Sequence, residues 1–121
     1  MAKVDDSVIV YEFADGWYVV ELLTHYDYLR EGGLMGNCVA KYFDSEDTVY
    51  SLRSDRHEPH ASMLYRGKMM IEICGRFNSS LKPEYRERVE QFMRDCYFPM
   101  HPLAYDITDM RRQTQWVTVS R

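Results

Sequence analysis

"TVYSLRSDRHEPHASMLYRGKMMIEIC" occupies residues 48–74, and its reading decides the fold. Three runs rich in β-branched, aromatic and long apolar residues, TVYSLRS (48–54), HASMLY (60–65) and KMMIEIC (68–74), are divided by DRHEP and the short RG. Such runs suit a pleated, half-buried surface, and the dividers are turn chemistry, so an antiparallel meander is expected. If Arg66-Gly67 forms a two-residue hairpin loop, Tyr65 faces Lys68, Ala61 faces Glu72 and His60 faces Ile73. If Ser54 faces His60 across DRHEP, then Tyr50, Leu52, Leu64, Met69, Ile71 and Ile73 share one face, the expected core face. Arg53, Ala61 and Glu72 then fall in a row on the other face. Small Ala61 lets Arg53 and Glu72 pair over it in solvent, a contact worth ~0–1 kcal/mol.

Working outward, VIVYEF (8–13) and WYVVEL (17–22) flank ADG and read as an N-terminal hairpin. THYDYLREGG (24–33) reads as a short helix, capped by Thr24, with Asp27 in its first turn and Gly32 or Gly33 at its end. NCVAKYF (37–43) reads as a second short helix headed by Asn37, followed by the polar turn DSED. PEYRERVEQFMRDC (83–96) is the clearest helix: Pro83 suits its first position, and Tyr85, Val89, Phe92, Met93 and Cys96 follow one apolar face. Pro99 and Pro102 hold the next stretch irregular, and QWVTV (115–119) alternates as a last strand. The expected fold is a single α+β domain over residues 1–121. Its antiparallel sheet, an N-terminal hairpin plus a three-strand meander, packs against two short helices and one longer helix.

A chain of 121 residues with 45% hydrophobic and 28% charged residues has ordinary globular composition. Its net charge of −4 argues against broad phosphate-backbone binding, which needs a basic surface. Ten tyrosines bring apolar area with a polar tip, as interfaces do. The three widely spaced cysteines, Cys38, Cys74 and Cys96, do not form a secreted disulfide framework, so a reducing cytoplasm is expected. No run approaches the ~20 apolar residues of a membrane span, and MAKVDDSVIV lacks the pattern of a signal peptide.

"MGNCVAKY", "VYSLR", "PHAS" and "EICGRFN" occur in that order within residues 35–78. This set resembles the PcfJ-like proteins of plasmids and phages. That family shows a Gly-His-Cys-Val segment, an aromatic-Ser-Leu-Arg strand, a Pro-His-x-Thr strand and a Gln-Ile-x-Gly-x-x-Asn segment. The matching positions are Gly36, Cys38, Val39, Tyr42, Tyr50, Ser51, Leu52, Arg53, Pro59, His60, Ile73, Gly75 and Asn78. The family's His before the Cys is Asn37 here, its Thr is Ser62, its Gln is Glu72, and the acidic residue often found two places after that Thr is Leu64. The resemblance implies a mobile-element context, in plasmid transfer or phage, and no particular reaction.

Chemistry could sit at several places. Cys38 in the first turn of a helix headed by Asn37 would be favoured as thiolate, and Cys38, His60 and Asn78 follow the chain order of thiol hydrolases. The simpler expectation is a small buried hydrophobe with no base beside it. His57, His60, Cys38 and Cys74 fit no zinc spacing, so neither metal nor cofactor is expected. Arg53 suits a phosphate or carboxylate, although pairing with Glu72 accounts for it more simply. Asn78 after GRF suits a turn as readily as a site. Arg111 and Arg112, with Arg121, lie near Trp116, a pattern that can hold single-stranded nucleic acid, here expected to be weak. The leading expectation is a binding module whose partner is a host or mobile-element protein complex, as an inhibitor or accessory factor of nucleic-acid processing. Behind it stand a cysteine-dependent enzyme and a nucleic-acid binder.

Overall fold

A computed structural model describes residues 4–96. The expected tail, the strand at 115–119, and Arg111, Arg112, Trp116 and Arg121 lie outside the described residues. The architecture is α+β. Five antiparallel strands, β1 (Val8–Glu12), β2 (Tyr18–Glu21), β3 (Thr48–Arg53), β4 (Pro59–Arg66) and β5 (Met69–Cys74), lie in sequence order. Helix α1 (His25–Met35) and helix α2 (Pro83–Asp95) cover opposite faces, with one-turn 3-10 helices at Val39–Tyr42 and Arg76–Asn78. No helix among the described residues is long and apolar enough to cross a membrane.

Both faces of this sheet are buried, which the alternation argument did not allow for. On the α2 face, Val19, Leu52, Ala61, Met63, Tyr65, Met70 and Ile73 pack with Val89, Phe92 and Met93 of the helix. On the α1 face, Tyr18, Val20, Val49 and Leu64 pack with Tyr28 and Val39. The expected core face is therefore corrected. Leu52 and Ile73 belong to the α2 cluster with half-buried Tyr50 at its margin, Leu64 and Ile71 lie on the α1 side, and Met69 is exposed.

The physical reason is a pair of bulges. Leu52 pairs with Ala61 but Arg53 with Pro59, so His60 is an extra residue. Leu64 pairs with Glu72 but Tyr65 with Met70, so Ile71 is another. Each interrupts the period-2 alternation. The β4–β5 loop is Gly67-Lys68, with Arg66 opposite Met69. Gly67, at φ 64°, takes the first loop position, where tight hairpins need a left-handed residue.

Helix α1 runs past Gly32 and Gly33 to Met35 and closes on Gly36 at φ 64°. A side chain at Gly36 would be strained by its φ, and its Cβ would come within 2.3 Å of the Phe77 ring. The segment after Asn37 is a single 3-10 turn that begins at Val39, not a helix headed by Asn37. Cys38 precedes that turn, so the helix-dipole argument for its thiolate does not apply.

Candidate functional site

Helix α1 reads inside out. Its start is built normally: Thr24 accepts from the Asp27 amide, and the Asp27 carboxylate accepts from the Leu23 and Thr24 amides at 2.9 Å each. The stripe facing the sheet is Asp27, Tyr28, Glu31 and Met35, and both acids are 0% exposed. The outward stripe carries Tyr26 at 56%, Leu29 at 52% and Leu34 at 45% exposure, with Gly33 between them. Positions 26, 29, 33 and 34 fall on one side of a 3.6-residue helix. Leu23 just before the helix is also exposed, and Phe77, 76% exposed, lies against Gly36 at the other end. Among the described residues nothing covers this face.

Two buried acids require partners. For Asp27 these are backbone amides; for Glu31, and for the equally buried Asp5, the partner is Arg53, on the central strand β3 and 1% exposed. Its guanidinium donates to both oxygens of Asp5 at 3.1 and 2.9 Å, to Ser7 Oγ at 3.2 Å and to Glu31 Oε1 at 3.5 Å. Arg30 lies 3.6 Å from the same Asp5 carboxylate. The other Glu31 oxygen accepts from Ser62 Oγ at 2.7 Å, and Ser62 in turn accepts from Asn37 Nδ2 at 3.2 Å. The Asp6 amide donates to Asp27 at 2.7 Å, so the segment before β1 is strapped across the inner side of α1. Burial alone would raise the Asp5 carboxyl, but the hydrogen bonds from Arg53 and Ser7 and the charge of Arg53 hold it below its usual range. Burial of Glu31 outweighs Arg53 and Ser62, and its carboxyl is raised. The expected Arg53–Glu72 surface pair is thus corrected: α1 and the N-terminal segment cover Arg53, and its partners are Asp5 and Glu31.

Asn37 and Ser62 also line a cleft of about 150 Å³ beside α1, between the Val39 turn and the sheet. Cys38, Lys41, Glu72 and Asn78 share that lining. Cys38 is exposed, which corrects the expectation of a buried thiol. Burial raises the Glu72 carboxyl, with Lys41 opposing it. Asn78 arrives through a left-handed pair, Phe77 and Asn78, each at φ 57°.

Of the expected thiol set, the structure brings Cys38 and Asn78 into one cleft and places His60 elsewhere. The His60 ring stacks between Trp17 and Tyr85, at 5.1 and 4.9 Å, on the α2 side of the sheet. His57 pairs its Nδ1 with the Tyr18 hydroxyl at 2.7 Å, and His25 stacks on Phe43. No histidine among the described residues lines the cleft. No group of three or more His, Cys, Asp or Glu side chains placed to hold a metal occurs among them either.

Asp5, Glu31 and the outward row Tyr26, Leu29 and Leu34 were not singled out from the sequence. Their signal was present: drawn on a helical wheel, Asp27 and Glu31 share a stripe with Tyr28 and Met35, Tyr26 and Leu29 lie opposite, and Leu34 lies at its edge. Comparison of the chain with protein families, with curated proteins and with solved structures gives no match.

Proposed function

We propose that this chain is a protein-binding module that docks through the outward face of α1. The single observation behind this is the inversion of that helix, which spends buried space on acids and leaves Tyr26, Leu29 and Leu34 in solvent. A solvated helix normally turns its charges outward. Exposed aromatic and leucine side chains clustered on a rigid element are what a partner's pocket receives. Phe77, held against Gly36, extends the apolar surface at the end of the helix. The partner fits a cytoplasmic complex of a phage or plasmid, which the chain serves as an inhibitor or accessory factor in nucleic-acid processing. Support for that context is the resemblance at residues 35–78 and the acidic net charge of −4, which disfavours direct contact with nucleic acid.

Affinity capture from host cells, with nuclease treatment, tests this. Wild-type chain retains a defined set of proteins and Leu29→Asp loses it. Equal retention by both chains, or loss on nuclease treatment alone, contradicts the docking face.

One observation favours a thiol chemistry instead: Cys38, Glu72 and Asn78 line one cleft. There Glu72, with its raised carboxyl, would serve as the base that His60 cannot be. Alkylation of Cys38, with Cys74 and Cys96 replaced, separates the two. Rapid labelling near neutral pH that slows in Glu72→Gln supports the enzyme, and labelling indifferent to Glu72 removes it.

A further inference from the structure

On the α2 side of the molecule, the chain forms an open recess of about 180 Å³. His60, Arg76, Ser79, Ser80, Lys82 and Tyr85 line it. Three of these are basic and three carry hydroxyls. In a chain of net charge −4, no carboxylate is among the described residues that line it.

The fold assembles this set from two places. The bulge in β4 inserts His60 as the extra residue, and Trp17 and Tyr85 fix its ring by stacking on it. Beyond β5 the chain doubles back: the Gly75 amide donates to the Ser79 carbonyl at 2.9 Å. A Cβ at Gly75 would come within 3.1 Å of Ser79 Oγ, so glycine is what allows the serines to lie close. Arg76 is oriented by donating Nε to the Pro59 carbonyl at 3.1 Å. Its nearest acid among the described residues is Glu58 at 4.0 Å, and both side chains are solvated, so that contact neutralises little of its charge. Burial lowers the His60 pKa and the charge of Arg76 lowers it further; Glu58 opposes them, Lys82 adds a smaller lowering and Glu84 a smaller opposition. An anion in the recess would relieve that mutual repulsion.

We propose that this recess is a binding site for a phosphate dianion, either free or as the terminal group of a small phosphomonoester. A guanidinium, an ammonium, an imidazole and hydroxyls from separate chain segments suit an anion with several oxygens better than a planar carboxylate. The volume admits one such group with a short organic stem. This site goes beyond the docking surface of α1 and stands or falls separately from it.

The test is a nuclear magnetic resonance titration of the whole chain with inorganic phosphate, phenyl phosphate, benzoate and sodium chloride at matched ionic strength. The His60 ring protons and the Ser79 and Ser80 amides are expected to shift saturably with the phosphates, and the His60 titration midpoint to rise. Tighter binding of phenyl phosphate identifies a monoester site, and tighter binding of inorganic phosphate a free-anion site. Arg76→Gln is expected to weaken binding about tenfold, the scale of one charge-assisted contact. Because Arg76 also holds the Pro59 carbonyl, Lys82→Gln, exposed and without that duty, provides a second loss of affinity. Lys68→Gln, in the exposed β4–β5 loop, leaves the titration unchanged. Shifts that do not saturate, equal shifts from benzoate or chloride, or wild-type affinity in both Arg76→Gln and Lys82→Gln would overturn the proposal.

Discussion

Helices α1 and α2 cover opposite faces of one sheet and distribute their side chains in opposite ways. Helix α2 buries Val89, Phe92 and Met93 and exposes Glu84, Glu87 and Arg94. Helix α1 buries Asp27 and Glu31 beside Tyr28 and Met35, and exposes Tyr26, Leu29 and Leu34. Phe92 alone, fully buried, contributes roughly 1.5–3 kcal/mol through its area. The Arg53–Glu31 contact gains little net energy over a packed apolar pair, because desolvation offsets the attraction. What it supplies is a fixed place for α1. The core contact of α2 is therefore apolar, while α1 is fixed by polar bonds beside Tyr28 and Met35 and leaves Tyr26, Leu29 and Leu34 for something else.

The sharpest way to break this contrast is to remove one anchor from each side. Arg53→Ala leaves the buried Asp5 and Glu31 carboxylates without their guanidinium and is expected to cost about 3–5 kcal/mol. Phe92→Ala opens a cavity under α2 and is expected to cost about 3–5 kcal/mol. Urea denaturation reads both. Arg53→Met, which removes the charge but fills much of the space, still leaves two buried acids and is expected to recover only part of the loss. A full recovery would mean that the α1 side is held by packing like the α2 side.

The pH dependence sharpens the same contrast, because the two acids that face Arg53 act with opposite sign. Asp5 has a native pKa below its usual 3.8. Its contribution is present above 3.8 and is lost as pH falls through the lower native value. Glu31 has a native pKa above its usual 4.5. It therefore subtracts stability as pH rises from 4.5 through its raised native value. Glu31→Gln is expected to flatten the decline above 4.5 and to keep the acid loss that belongs to Asp5, read from urea midpoints across pH. A variant with an unchanged profile would show that Glu31 is not desolvated by α1.

The smallest expected effect lies outside. Leu29→Ser on α1 and Glu87→Ser on α2 both replace exposed side chains, and each is expected to shift stability by about 0.5 kcal/mol or less. A loss of several times that for Leu29→Ser would mean that its side chain is part of the fold and is not offered to a partner.

Much of the architecture was legible because its signals are local. The glycine-containing turns, the run of strand residues at 48–74, Pro83 and the spacing of Val89, Phe92 and Met93 each act within a few residues. Bulges at His60 and Ile71 were not legible, since an extra residue is defined only by its partner strand. That same blindness placed Leu64 on the wrong face and gave Arg53 the partner Glu72. The burial of Arg53 depends on Asp5, 48 positions away in sequence, folding over it. In the thiol set, Cys38 and Asn78 meet in the cleft because the chain after β5 turns back through left-handed Phe77. His60 departs from them because its bulge turns it toward Trp17 and Tyr85.

The most direct test of the docking face is site-specific photo-crosslinking in living host cells. A benzophenone side chain replaces Tyr26 on the outward stripe of α1, or Glu87 on the outward stripe of α2. A discrete crosslinked protein is expected from position 26, absent from position 87, and lost when Leu34→Asp is added to the position-26 variant. Crosslinks of the same identity and yield from both helices, or none from position 26 while the chain is folded, would contradict it.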